Sequence, residues 1–184
     1  MRPSPLNSAI DFIATQRRRF ASWLTCGLVA ITILSNCSDP PPTRISGMVS
    51  SPEEVCQKVL DALATNDTLM MGNLVLTRFE HDSVLVPLMP SPPPGVERDM
   101  SLAWLMLYER DVKGIRRAFE DYGGQRFTLV TVKFTKPDKI FGDLRAHQGT
   151  VVTVRDSTGS EFGLPIFGSI LEDHGRFKLV SVRD

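Results

Sequence analysis

Three histidines, three cysteines and two tyrosines are the residues of this chain best suited to proton transfer or covalent chemistry. General acid-base catalysis needs two titratable groups that converge on one substrate atom. His81 and Asp82 are neighbours at the end of a predicted helix and should form a surface pair pointing in different directions. His147 lies on the polar face of a predicted strand and should be solvated, and His174 belongs to a predicted turn. We therefore predict no catalytic residues.

An apolar stripe on the longest predicted helix contains both tyrosines. We predict that this stripe faces the core and that Tyr108, Val112, Ile115 and Phe119 are the candidate lining of any pocket. A buried tyrosine usually needs only a partner for its hydroxyl group, so Tyr108 alone is weak grounds for catalysis. The sequence has no metal-ligand spacing, nucleophile elbow or phosphate-binding loop, and we predict no metal site and no cofactor. We call this set the long-helix stripe: Leu105, Tyr108, Val112, Ile115, Phe119 and Tyr122.

Cys56 lies three, four and seven residues before Val59, Leu60 and Leu63, so it belongs to the apolar face of a helix. The other two cysteines lie in the N-terminal segment, which leaves Cys56 without an internal disulfide partner. We predict a buried, unreactive thiol.

The run from Phe20 to Cys37 has no charged residue and follows three consecutive arginines, 17–19. Positive charge before an apolar segment is typical of an export signal. The 17 residues from Phe20 to Asn36 also reach the lower limit of roughly 17–25 for a membrane-spanning helix. Two alternatives therefore stay open, a cleaved signal and an uncleaved anchor, and both place the following chain outside the cytoplasm.

The end of this run, Leu34-Ser35-Asn36-Cys37, resembles the lipobox of bacterial lipoproteins, with Asn36 where Gly, Ala or Ser is usual. The resemblance implies cleavage before Cys37, attachment of lipid to its sulfur and acylation of the new amino terminus. It divides the chain into a signal peptide (1–36), a lipidated cysteine with a proline-rich tether (37–50) and a domain (51–184). The implied location is the cell envelope, and Ser38 resembles the pattern for outer-membrane sorting in Gram-negative bacteria.

The charge of the chain argues against one class of partner. Residues 1–36 carry four of the 21 basic and one of the 21 acidic residues, so the remainder has a net formal charge of −3. It has no cluster of lysine and arginine of the kind that neutralises phosphates, and we do not expect nucleic acid as a partner.

Capping residues place three helices before the strands. Ser51, Pro52 and Glu54 predict a capping box and a helix to about Thr65. Asp67 predicts the start of a second helix, over 68–79. The remaining predicted elements are a short edge strand over 83–88 and the long helix from Asp99 or Ser101 to Tyr122, stopped by Gly123-Gly124.

After the long helix the apolar period changes from 3.6 to 2, which indicates strands. Strands are predicted over 127–134, 144–154, 162–170 and 177–182, with turns at 136–138, 157–159 and 173–175. Tight turns favour an antiparallel meander. The predicted fold class is α+β, with three N-terminal helices packed on a curved antiparallel sheet of four or five strands.

This order of elements resembles the NTF2-like, cystatin-like cone. Residues 51–67 resemble the opening helix of NTF2-like domains in bacterial lipoproteins, and 171–179 resemble their closing hairpin, with Phe177 in place of the commoner Trp and His174 inserted. The resemblance implies a pocket between helices and sheet, where enzymes of this family place an Asp with a His or Tyr.

Two functions stay open. The first is a lipid-anchored, non-catalytic envelope protein that binds the membrane through its lipid and also binds an envelope protein or a small apolar ligand. The alternative is an NTF2-type enzyme, an isomerase, dehydratase or hydrolase, that acts on a small apolar substrate.

Overall fold

Four α-helices precede a five-stranded antiparallel sheet in the computed structural model, which describes residues 44–97 and 99–183. The predicted α+β class with an antiparallel sheet of four or five strands is confirmed. No helix within these ranges is long and apolar enough to cross a membrane. The helices are α1 (Pro52–Thr65), α2 (Thr68–Leu74), α3 (Arg78–Glu80) and α4 (Met100–Tyr122), and the strands are β1 (Thr128–Phe141), β2 (Leu144–Arg155), β3 (Glu161–Leu164), β4 (Ile170–Asp173) and β5 (Arg176–Leu179).

Helix α1 begins at Pro52 and ends after Thr65, as predicted, but the predicted capping box is wrong. The Ser51 side chain accepts a hydrogen bond from the Glu54 backbone N–H at 3.1 Å, and Pro52 takes the first helical position. The Glu54 carboxylate binds the backbone N–H and hydroxyl of Ser50 rather than closing the box on Ser51. Asn66 ends the helix in the left-handed conformation, with φ 55°.

The segment after α2 differs from the prediction. Helix α2 starts at the predicted cap, Asp67, but ends at Leu74 instead of Phe79, because Val75 forms a parallel bridge with Leu179 of β5. The predicted edge strand over 83–88 is wrong. Thr77 caps α3, and the chain continues as a π-helical turn (His81–Leu85) and a 3₁₀ turn (Val86–Leu88).

β2 is the central strand of the sheet. It pairs with β1 along one edge, and on the other edge it pairs with β3 near its end and with β4 near its start. β4 then forms a hairpin with β5. The predicted third strand therefore splits into β3 and β4, which lie end to end along β2.

β1 is longer than predicted. Pro137 was expected in a turn, yet β1 continues through it to Phe141, with a shift in register between Lys136 and Lys139. Because β1 lies at the sheet edge, a proline without an N–H group is tolerated there. The turns predicted at 157–159 and 173–175 both join strands as expected.

Apolar side chains cover both faces of the sheet. The main core packs buried residues of α1 and α4 against β2–β5, with Val59, Leu63 and Ile170 at 1 % exposure or less. The second core lies on the opposite face and joins Ala146 and Leu171 to the helical segment after α3. Members of the second core are Ile45, Met48, Leu76, Val84, Leu85, Leu144, Ala146 and Leu171.

Candidate functional site

Helix α4 turns its small side chains inward and leaves much of its apolar surface exposed. Its buried residues are Asp111, Gly114 and Ala118, spaced by three and four. The predicted inward orientation of the long-helix stripe, which lies on α4, is wrong for its N-terminal half, where Leu105, Tyr108 and Val112 are each about half exposed. The C-terminal half of the stripe is partly buried against the main core.

Close approach of the C-terminal segment explains this orientation. A Cβ atom on Gly114 would lie 2.6 Å from the Arg183 carbonyl oxygen and 2.8 Å from that of Val182. The Val182 N–H also donates to the Asp111 carboxylate at 3.1 Å. Backbone can come this near to a helix only where the helix presents a residue without a side chain.

A shallow groove runs between the start of α2 and the C-terminal half of α4. We call it the α4 groove, and it is open to solvent. Three residues of the predicted pocket lining, Val112, Ile115 and Phe119, are among its walls, whereas Tyr108 is not. The remaining walls are Thr68, Arg116 and Glu120.

More exposed apolar side chains extend this surface toward the N-terminal end of α4 and onto α2. The large apolar residues exposed on these two helices are Leu69, Leu102, Leu105, Met106, Tyr108 and Val112. Several large apolar side chains exposed near one another are typical of a surface that binds a partner.

Tyr108 belongs to a small aromatic cluster instead of the core. Its ring stacks on Trp104 with centroids 6.3 Å apart, and Trp104 lies 5.4 Å from His81. The predicted surface pair of His81 and Asp82 is wrong, because His81 is buried and its Nδ1 lies 2.7 Å from the Asp82 carboxylate. The His81 hydrogen bond is the main cause that lowers the pKa of Asp82, with a further contribution from Arg78.

His147 is the residue that sequence reasoning misplaced most clearly. It was predicted to be solvated, but its side chain is 12 % exposed. Its ring stacks on Phe134 with centroids 4.5 Å apart and faces Phe177 at 6.1 Å. Nδ1 lies 3.0 Å from Asp138, and Nε2 lies 2.9 Å from Glu172.

This arrangement limits the chemistry of His147. A protonated imidazole donates to both carboxylates, whereas a neutral one donates to only one. With both ring nitrogens engaged by side chains, neither is directed at a substrate. The carboxylates lie on opposite sides of the ring, and in the described residues no three His, Cys, Asp or Glu side chains converge to hold a metal ion.

The other predicted positions are simpler. His174 lies in the β4–β5 turn with φ 51° and contacts Asp173 through Nδ1 at 2.6 Å. Cys56 is fully buried, as predicted, and burial raises the pKa of its thiol to about 12. Cys37, the predicted lipidation site, lies outside the described residues.

Asp111 is a buried carboxylate that sequence analysis did not single out. It is 4 % exposed, and its burial raises its pKa to about 6, although the Val182 N–H and the charge of Arg110 act in the opposite direction. In the sequence, Asp111 is one of several charged residues on the long helix, and nothing distinguishes it from the exposed ones. Its burial depends on the C-terminal segment, which packs over α4.

The raised pKa of Asp111 should make the stability of the protein depend on pH. The folded state holds this proton more tightly than the unfolded state, so the contribution of Asp111 to stability is present below pH ~4 and is lost as the pH rises through about 6. Asp111→Asn should therefore raise the free energy of unfolding at pH 7.5 by about 1–2 kcal/mol and leave it nearly unchanged at pH 4. Urea unfolding at both pH values measures this difference.

The exposed carboxylate Asp121, on the same helix, provides the control for Asp111. Asp121→Asn should change stability by less than about 0.5 kcal/mol at either pH. A stabilisation by Asp111→Asn that is equal at pH 4 and pH 7.5 would contradict the assignment of a buried, titrating carboxylate.

No protein-family model matches this chain, and no curated protein or solved structure matches it.

Proposed function

We propose that this chain is an exported, lipid-anchored envelope protein whose domain is non-catalytic and binds an envelope protein or a small apolar ligand. In this proposal Cys37 carries the lipid, residues 37–50 form the tether, and the domain is an NTF2-like cone with its N-terminal helices against a curved sheet. The order of helices followed by an antiparallel sheet, with a core between them, supports that fold.

The observation that carries the binding function is the exposed apolar surface of α4. Val112 is 48 % exposed and lies where the α4 groove meets the exposed half of the stripe. Burial of apolar area supplies most of the favourable free energy of protein association and of apolar ligand binding. A partner bound to this surface would bury the exposed side of α4, so that the helix would be covered on both sides.

The described histidines favour binding over catalysis. His147 has both nitrogens engaged, His81 is buried against Asp82 and Trp104, and His174 bonds Asp173 in a turn. Tyr108, the candidate acid of the enzyme alternative, stacks on Trp104 instead of meeting a base in a pocket.

Site-specific crosslinking tests the binding surface. If the partner is a protein, a photoreactive amino acid at position 112 should crosslink one discrete protein in intact cells. If the ligand is small and apolar, the purified protein should bind an apolar fluorescent probe, and Val112→Glu should weaken its affinity at least tenfold, a loss of about 1.4 kcal/mol. Position 151 is the matched control, because Val151 is 42 % exposed on β2 and lies outside the groove. Equal crosslinking at both positions, together with equal probe binding by both glutamate variants, would contradict the proposal.

The anchor is tested separately by intact-mass measurement of protein extracted from membranes. The wild type should lack residues 1–36 and carry the mass of the attached lipid, whereas Cys37→Ser should retain the full leader. A wild type of unprocessed mass would refute lipidation and leave the α4 surface as an independent hypothesis.

A further inference from the structure

A second cleft lies between α4 and the last residues of the chain, and its chemistry differs from that of the α4 groove. It has a volume of about 300 Å³, near the lower limit of ~300–1,000 Å³ for small-molecule sites. Polar groups form most of its wall. The lining residues are Arg110, Gly168, Ser169, Val180, Ser181 and Arg183.

Three contacts bring the two arginines of this cleft together. The Val182 N–H binds Asp111, which is next to Arg110, and the Arg183 backbone packs against Gly114, one helical turn beyond Arg110. The Arg183 N–H donates to the Ile166 carbonyl oxygen at 2.8 Å. The C-terminal segment is thereby held along α4, and Arg110 and Arg183 both line the same cleft.

Neither arginine has an ion-pair partner among the described residues. Five other arginines lie within 4.0 Å of a carboxylate, but within residues 44–97 and 99–183 no carboxylate comes this close to Arg110 or Arg183. The nearby Asp111 carboxylate is turned toward the Val182 N–H. Arg110 and Arg183 carry two positive charges at this cleft, and the buried Asp111 carboxylate, which interacts with the charge of Arg110, offsets only part of them.

The floor of the cleft supplies hydroxyl groups. Ser181 lines the cleft and is 5 % exposed. Its position depends on Gly168, where a Cβ atom would lie 2.3 Å from the Ser181 Oγ. Ser169, directly before β4, is a second serine that lines the cleft.

We propose that this cleft binds a small oxyanion, a phosphate or a similarly charged group. Guanidinium groups bind oxyanions through paired, charge-assisted hydrogen bonds, and hydroxyl donors complete such a shell. Arg110 and Arg183 supply the charge, and Ser181 donates from the floor. The oxyanion is either free or the headgroup of a lipid, since both present the same oxygen atoms.

Thermal unfolding of the full chain in a non-ionic detergent tests the site. Inorganic phosphate at about 10 mM should raise the unfolding midpoint by about 3 °C over sodium chloride of equal ionic strength, because a ligand of the folded state stabilises it by mass action. Arg110→Gln and Arg183→Gln should each remove most of this shift. Arg126→Gln is the matched control, because Arg126 is exposed, lies outside the cleft and has no ion pair among the described residues.

Dihexanoyl phosphatidylglycerol, titrated below its micellar concentration, separates the two sources of the oxyanion. Protection by phosphate and by this lipid alike indicates a site for any oxyanion, and protection by the lipid alone indicates a headgroup site, provided that the Arg110 and Arg183 variants lose it. The proposal is overturned if neither compound protects the wild type, or if the cleft variants and Arg126→Gln are protected equally.

Discussion

Replacing Lys178 by methionine should lower the free energy of unfolding by about 3–5 kcal/mol, the usual loss when one partner of a buried ion pair is removed. Lys178 and Glu80 are each 3 % exposed, and Nζ lies 2.8 and 3.0 Å from the two carboxylate oxygens. The variant would leave the Glu80 charge buried without its counterion. Urea unfolding at pH 7 measures the loss.

The surroundings of Glu80 show why the charged pair is tolerated inside the protein. Burial alone would raise the pKa of Glu80, but hydrogen bonds from Lys178, Thr77 and Ser46 lower it to about 2. Because the folded pKa lies below the unfolded one, this contribution is present above pH ~4.5 and is lost as the pH falls toward 2. Every oxygen of the carboxylate has a donor, so the network is complete.

Two further variants make this prediction falsifiable. The exposed residue Lys133 provides the control, and Lys133→Met should cost less than about 0.5 kcal/mol. The double variant Glu80→Gln, Lys178→Met should lose less stability than the sum of the single losses, because it removes both charges. If Lys178→Met is as stable as Lys133→Met, the buried pair of Lys178 and Glu80 does not make the predicted contribution to stability.

Gly114→Ala should destabilise the protein by about 2–3 kcal/mol, although alanine favours helices over glycine by ~1 kcal/mol. The added Cβ atom would lie 2.6–2.8 Å from backbone atoms of Val182 and Arg183, and backbone cannot rotate away as a side chain can. Moving this segment would also weaken the hydrogen bond from the Val182 N–H to Asp111. Thermal or urea unfolding measures the change.

The matched control is Gly72, a second helical glycine, in α2. A Cβ atom there would meet no atom within 4 Å, so Gly72→Ala should gain about 0.5–1 kcal/mol from helix propensity alone. Opposite signs for the two glycine variants are the expected result. Equal stabilisation of both would mean that the C-terminal segment does not pack on α4.

Local signals predicted the helix starts well, because capping depends on neighbours in sequence. Ser51, Asp67 and Asp99 each cap the helix that they were expected to begin, and Gly123 ends α4. The helical segment over 81–88 was missed because its apolar residues and Pro87 suit an edge strand equally well. Its helical form depends on packing against the second core, which no local pattern reveals.

The orientation of side chains about the sheet was harder to predict. Leu144 and Ala146 belong to the second core, whereas Val152 and Val154 belong to the main core, so the inward face of β2 reverses near Gly149, where φ is 67°. Simple alternation therefore placed His147 in solvent. Its carboxylate partners, Asp138 and Glu172, come from β1 and β4. Because they are distant from His147 in sequence, no local pattern predicts the cluster.

The sequence alone determined the properties that arise between near neighbours: the caps of the helices, the buried thiol of Cys56 and the change from helix to strand after Gly123. Tertiary structure alone decided which side of α4 faces inward. An apolar stripe shows that one side of a helix is hydrophobic, but it does not show which segment packs against that helix. The backbone at Val182 and Arg183 requires the small side of the helix. That contact turns part of the apolar stripe outward and forms the two clefts whose binding we propose to test.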